Sequence, residues 1–175
     1  HVDALVVTHH HRNDLLSLRP QGVWWAIKQC LHFFKDRTGL LTSVIAESGG
    51  FIKSIPSIKR PDLQLHFIPG AMDDHGRNIK LLFKYGISLH VCLLRPKSRG
   101  QVSLYGNNAT LHPKIALNML DHPDDIKSMI KGIKIARNIL SKSPLVENNG
   151  HEIFPGSHCQ TDEEIHQFLK NKSNT

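Results

Sequence analysis

The segment from Pro123 to Leu140 constrains this chain more than any other. Its apolar residues Ile126, Met129, Ile130, Ile133, Ala136, Ile139 and Leu140 recur at the period of one helix face. Lys127, Lys131, Lys134 and Arg137 fall opposite them and read as a solvated basic face. A helix with such a stripe must lie on another apolar surface, and the rest of the chain offers strands to build one. Leu63-Gln64-Leu65-His66-Phe67-Ile68 alternates and stops at Pro69-Gly70. Ala4-Leu5-Val6-Val7-Thr8 is a β-favouring run, and Leu89, Val91 and Leu93 alternate before Leu94 breaks the pattern. Val23, Trp24, Ile27, Leu31 and Phe34 predict a second amphipathic helix, closed by Gly39. Thr161 with Glu164 forms a capping box for a last helix that buries Ile165, Phe168 and Leu169. The pattern is α+β, a mostly antiparallel sheet with helices on one face.

At 175 residues, one domain spanning 1–175 is the expectation. No apolar run reaches the length of a membrane span. Cys30, Cys92 and Cys159 are odd in number and widely spaced, which predicts reduced thiols in a cytoplasmic protein. A net charge of +7 raises the question of nucleic acid. Four of the 22 lysines and arginines recur along the predicted helix face, where a solvated surface explains them, and no aromatic interleaving accompanies them, so nucleic-acid binding is not expected.

The connections carry further expectations. Leu40 to Ile52 reads as extended, with Ser48-Gly49-Gly50 marking a bulge or a close approach by another backbone or a ligand. Ala71 to Tyr85 reads as a loop or lid, and Ser141 to Gln160 as a loop. Leu89 to Leu104 reads as a β-hairpin whose basic corner is Arg95-Pro96-Lys97-Ser98-Arg99-Gly100.

Few residues point to chemistry. His9 and His11 share a strand face, but no further ligand motif accompanies them, so no metal is expected. His66 sits in an apolar strand before Pro69-Gly70 and faces either a cavity or the core; His90 carries the same two readings. Glu47 precedes the paired glycines and suits either a substrate hydroxyl or a structural hydrogen bond. There is no Gly-x-Gly-x-x-Gly, no Walker loop, no Gly-x-Ser-x-Gly and no His-Glu-x-x-His.

Taken in order, several strings are similar to one family. Leu41-Thr42-Ser43-Val44-Ile45-Ala46-Glu47-Ser48-Gly49-Gly50-Phe51 resembles its Leu-Thr-Ser-Asn-Val-Ala-Glu-Ala-Gly-Gly-Phe stretch. Arg60 to Phe67 resembles its Pro-Asp-Leu-Gln-x-His-Phe pattern, and Arg95 to Gly100 matches the family string. Asn118 to Leu120, Pro123-Asp124, Ala136-Arg137 and Gln160 to Glu164 follow in order and spacing. The chain thus resembles the C-terminal substrate domain of the glucose-methanol-choline (GMC) oxidoreductases, most of all bacterial choline dehydrogenases and medium-chain alcohol dehydrogenases. Val44, where the pattern has Asn, and Met119, where it has an aromatic, depart from it.

The resemblance implies a sheet of about six strands and oxidation of a primary alcohol to an aldehyde by hydride transfer to FAD. It implies substrate-binding roles for His66 and Glu47, with His66 hydrogen-bonded to the alcohol or alkoxide oxygen. The FAD-binding domain and the catalytic His-Pro-x-Gly-Thr-Cys segment are expected beyond the two ends, with Lys172-Ser173-Asn174-Thr175 just upstream of the latter. The isolated chain is then expected to hold no FAD and no catalytic residue, and to be inactive. Implied partners are an alcohol (choline or an alkanol), the FAD domain of the same polypeptide, and a quinone or other acceptor. Peripheral association with the inner membrane is included. The competing expectation is a stand-alone, non-catalytic ligand-binding or interaction module.

Overall fold

The computed structural model describes residues 2–11, 15–46, 48–73, 77–142, 145 and 149–173. Five strands form the main sheet: β1 (Val2–His10), β2 (Ser48–Ile52), β3 (Leu63–Ile68), β4 (Gly86–Leu93) and β7 (Asn149–Phe154), in the order β2-β3-β4-β1-β7. All four pairings are antiparallel. β5 (Gln101–Ser103) and β6 (Lys114–Ala116) form a separate two-stranded sheet. The helices are α1 (Pro20–Asp36), α2 (Ile79–Leu82), α3 (Pro123–Leu140) and α4 (Asp162–Lys172). The architecture is the α+β one expected, with about the expected number of strands divided between two sheets.

Strand period decides which residues meet the helices. Val2, Ala4 and Val6 on β1, Leu63 and Leu65 on β3, and Leu89, Val91 and Leu93 on β4 form one buried cluster with Met129, Ile133, Ala136 and Leu140 of α3. Ile165 and Leu169 of α4 complete it. Gly132 marks the close approach of α3, since a Cβ there would stand 2.5 Å from Val91 Cγ1 and 3.1 Å from Leu63 Cδ1. On the opposite sheet face Leu5 and Val7 pack with Ala71 and Leu81. Ser88 donates to the Gly70 carbonyl at 2.7 Å and accepts from the Met72 N–H at 2.9 Å. The expected loop at 71–85 therefore contains the short helix α2 and is fastened to one end of that face.

The Leu89–Leu104 segment is not a hairpin. β4 pairs with β1 and β3, and β5 pairs with β6. The segment between β4 and β5 is a strap across the start of α3. Asp125 accepts from the Lys97 N–H, the Ser98 N–H and the Ser98 hydroxyl at 2.8, 2.8 and 2.6 Å. Ser98 Oγ in turn accepts from the His122 N–H at 3.0 Å, and Lys97 pairs with Asp124. Burial pushes the Asp125 carboxyl up, but these amide and hydroxyl donors outweigh it and hold the group below the usual carboxylate value.

Two other sequence expectations change. Arg137 is not on a solvated face: it forks onto Glu152, with Nη2 to Oε1 at 2.7 Å, and donates to the Cys159 carbonyl at 2.7 Å. It thereby ties α3 to β7, a strand inside the segment expected to be a loop. The apolar residues Val23, Trp24, Ile27, Leu31 and Phe34 of α1 are exposed rather than packed within the described residues. The capping box is present, with Thr161 Oγ1 accepting from the Glu164 N–H at 3.2 Å and Glu164 accepting from the Thr161 N–H at 2.9 Å. Cys30, Cys92 and Cys159 are free thiols, and burial pushes the last two up.

Asp125→Asn should lower the unfolding free energy by about 2 kcal/mol at pH 7, because two amides and a hydroxyl lose a charged acceptor. A depressed carboxyl contributes stability that is complete above its unfolded value, about pH 4, and is lost as pH falls through the folded one. The wild-type advantage in urea denaturation should therefore shrink below about pH 4; equal stability at pH 7 would exclude the clamp.

Candidate functional site

Because the odd-numbered residues of β3 and β4 lie under α3, the even-numbered ones occupy the other face. Register sets two rows there. Gly49, His66, His90 and Leu5 follow one another across β2, β3, β4 and β1. Phe51, Gln64, Cys92 and Asp3 form the neighbouring row. His66 and Gln64 are half-buried and Phe51 is exposed, so this end of the face is open.

The structure places His66 on the sheet face opposite α3, away from the hydrophobic core. Glu47 lies outside the described residues, as do His1, Asn174 and Thr175. His90 was equally ambiguous in sequence, and it is held by Asp3, with Nδ1 2.7 Å from Oδ2. Asp3 gave no signal of its own. The acid and the imidazole are 87 positions apart, and only the β1–β4 pairing makes them neighbours.

The paired glycines have different surroundings. A Cβ on Gly49 would stand 2.2 Å from the Leu65 carbonyl oxygen, whereas one on Gly50 would meet nothing within 4 Å. The close approach foreseen in the sequence is thus that of the β3 backbone to Gly49. The missing side chain leaves the end of the His66 row bare.

The consecutive histidines make a different cluster. His9 is edge-on to His11 at 5.2 Å and stacked on His151 at 5.1 Å. Burial, the two neighbouring imidazoles, Lys84 and Arg19 push His9 down and favour its neutral form. Among the described residues no three His, Cys, Asp or Glu side chains are arranged to hold a metal ion. No helix of the described residues is long and apolar enough to cross a membrane.

Among the described residues, no strand leads through a glycine-rich turn into a helix N-terminus of the kind that cradles a dinucleotide. What they do offer is a sheet wall carrying a half-open imidazole, His66, beside a fixed one, His90. Such a wall can hydrogen-bond an oxygen of a small ligand.

Gly49→Ala should destabilise the protein by about 1–3 kcal/mol, because β2 must move off β3, while Gly50→Ala should change stability by less than about 0.5 kcal/mol. Urea unfolding of the two variants checks this contrast; equal effects would refute it.

A family model described as GMC oxidoreductase matches residues 96–175. An alcohol dehydrogenase [acceptor] of Pseudomonas putida is 45% identical over 144 residues, 82% of this chain and 26% of that protein. An oxygen-dependent choline dehydrogenase of Escherichia coli is 34% identical over 161 residues, 91% of this chain and 29% of that protein. The chain therefore spans between a quarter and a third of the length of these relatives. Among solved structures, a formate oxidase superposes with a TM-score of 0.78 at 20% identity, over 100% of this chain and 35% of that one. A pyridoxine 4-oxidase from Mesorbium loti gives 0.70 at 14% identity, over 98% and 29%. These two show a shared fold. With the ordered motifs from Leu41 to Glu164 and the two curated relatives, the family is established: the chain belongs to the GMC oxidoreductases.

Proposed function

We propose that this chain is the substrate-binding part of an FAD-dependent alcohol dehydrogenase that oxidises a primary alcohol to an aldehyde. The observation that carries the reading is His66 on the open sheet face, beside the bare Gly49 and away from the α3 core. Oxidation of an alcohol removes a hydride from carbon and a proton from oxygen. FAD, bound by the remainder of the polypeptide, supplies the hydride acceptor. In this chain His66 hydrogen-bonds the alcohol oxygen and orients it, while the sheet excludes water from one side. Glu47, directly before β2 in sequence, is proposed as a second polar contact to the substrate. The residues 1–175 act as one domain, and the exposed apolar faces of α1 and of the β5–β6 sheet meet the rest of the polypeptide.

An uncharged alkanol suits the described wall better than choline. A quaternary ammonium calls for an aromatic cage or a free carboxylate. Phe51 is the one Phe, Tyr or Trp in the two rows around His66, and the Asp3 carboxylate is already bonded to His90. The relatives' names differ on the acceptor, one specifying oxygen and the other only an acceptor. The acceptor is a quinone or another electron acceptor, and a quinone would bring the intact protein to the inner-membrane surface from the cytoplasmic side.

The full-length protein should show a higher kcat/KM on 1-octanol than on choline, and His66→Ala should lower turnover of the better substrate about tenfold or more. Turnover unchanged in the variant would reject the role of His66. A preference for choline would reject the alkanol assignment, and failure of every alcohol to reduce the flavin would reject the reading as a whole. Faster reoxidation by a soluble quinone than by oxygen checks the acceptor.

A further inference from the structure

The two imidazoles of the Gly49–His66–His90–Leu5 row are antiparallel partners, and such partners hold their Cβ atoms about 4.5–5.5 Å apart on one face. They are not equivalent. His90 is locked, with Nδ1 2.7 Å from Asp3 Oδ2 and the two side chains only 13% and 20% exposed. The Asp3 carboxylate accepts, so His90 donates from Nδ1–H, and in the neutral form of that tautomer Nε2 carries a lone pair. That Nε2 is buried and has no hydrogen-bond partner among the described residues. A buried nitrogen in this state is costly, and a donor is what it lacks. The polar side chain next to it in the row is His66, which is half-buried, faces the open end of the wall, and can donate from a ring nitrogen.

We propose that Asp3, His90 and His66 form one directional chain of hydrogen bonds. Asp3 takes the Nδ1 proton of His90. His90 Nε2, unpartnered among the described residues, accepts an N–H of His66 when the half-buried His66 ring turns toward it, and His66 keeps its second nitrogen as an acceptor for the substrate hydroxyl. This rests on the reading of His66 as the group that meets the alcohol, and it makes Asp3 and His90 positioning residues behind it. Every bond in the chain points the same way, so the carboxylate at one end fixes what His66 presents at the other. A neutral His66 held in this way accepts the hydroxyl proton's hydrogen bond and turns the oxygen lone pairs away from itself. With the opposite tautomer it would donate to that oxygen instead. No proton is consumed and no electron moves in setting this polarity.

The test uses the full-length flavoprotein labelled with [15N]histidine, whose ring nitrogen shifts report each tautomer, with His66→Gln used to assign His66. In the wild type, His90 should hold its proton on Nδ1 and His66 should show a single tautomer. Asp3→Asn no longer enforces Nδ1–H, and His90→Phe removes the acceptor, so both should shift the His66 tautomer balance. Asp3→Glu should restore it. Turnover of a primary alcohol should fall about tenfold in Asp3→Asn with KM within about twofold, since the loss is one of orientation and not of binding. A His66 spectrum unchanged in either Asp3→Asn or His90→Phe overturns the chain of bonds, whatever the turnover. A purely structural pair would lower the unfolding midpoint and leave the His66 spectrum as it was. A wild type whose flavin no alcohol reduces would sink the proposed function separately, because the ring spectra need no substrate.

Discussion

The packing of α3 on the sheet is the constraint from which the site follows. Gly132 lets the helix approach Val91 and Leu63 so closely that a methyl group there would collide with them. Leu63, Leu65, Leu89, Val91 and Leu93 are thereby committed to the helix side. Strand geometry alternates, so Gln64, His66, His90 and Cys92 must emerge on the other face. No part of the site has to be selected for direction by itself. A one-residue slip in β3 would exchange His66 for Leu65 and bury an imidazole in the core.

The strap between β4 and β5 keeps that packing in place. Asp125 gathers the Lys97 and Ser98 amides at the first turn of α3, where a negative charge is also favoured by the helix dipole. At the other end Arg137 joins the helix to Glu152 on β7 and to the turn that leads into α4. The helix is thus pinned to the chain at both ends as well as packed along its length. The Arg-Pro-Lys-Ser-Arg-Gly string, the most recognisable part of the sequence, does its work here, on the side of the molecule away from His66.

Much of this was legible beforehand, and the failures have physical causes. The α3 period, the alternation of β3 and the Thr161–Glu164 capping box are local signals, and local geometry satisfies them. The hairpin expectation failed because two extended runs around a basic corner do not say which strands they pair with. β4 found longer partners in β1 and β3, and the three residues of β5 were left to β6. Arg137 was misread because helical periodicity places a side chain on a face but does not show what covers that face. β7 was missed because a segment rich in Asn, Gly and Pro has turn chemistry around it; its pairing with β1 supplies what its composition does not. The apolar side of α1 was legible as an amphipathic helix, yet it stays uncovered by the described residues.

The sequence by itself determined the class of fold, the family and the presence of His66 in a strand whose other face is apolar. Those are properties of short-range order and of strings, and they survive without coordinates. Tertiary structure decided which of two faces each histidine occupies, that Gly49 and not Gly50 is sterically required, and that Asp3 reaches His90. Each of these depends on antiparallel register between strands far apart in the chain. Register is fixed by the burial of whole strand faces together, and no single segment carries it.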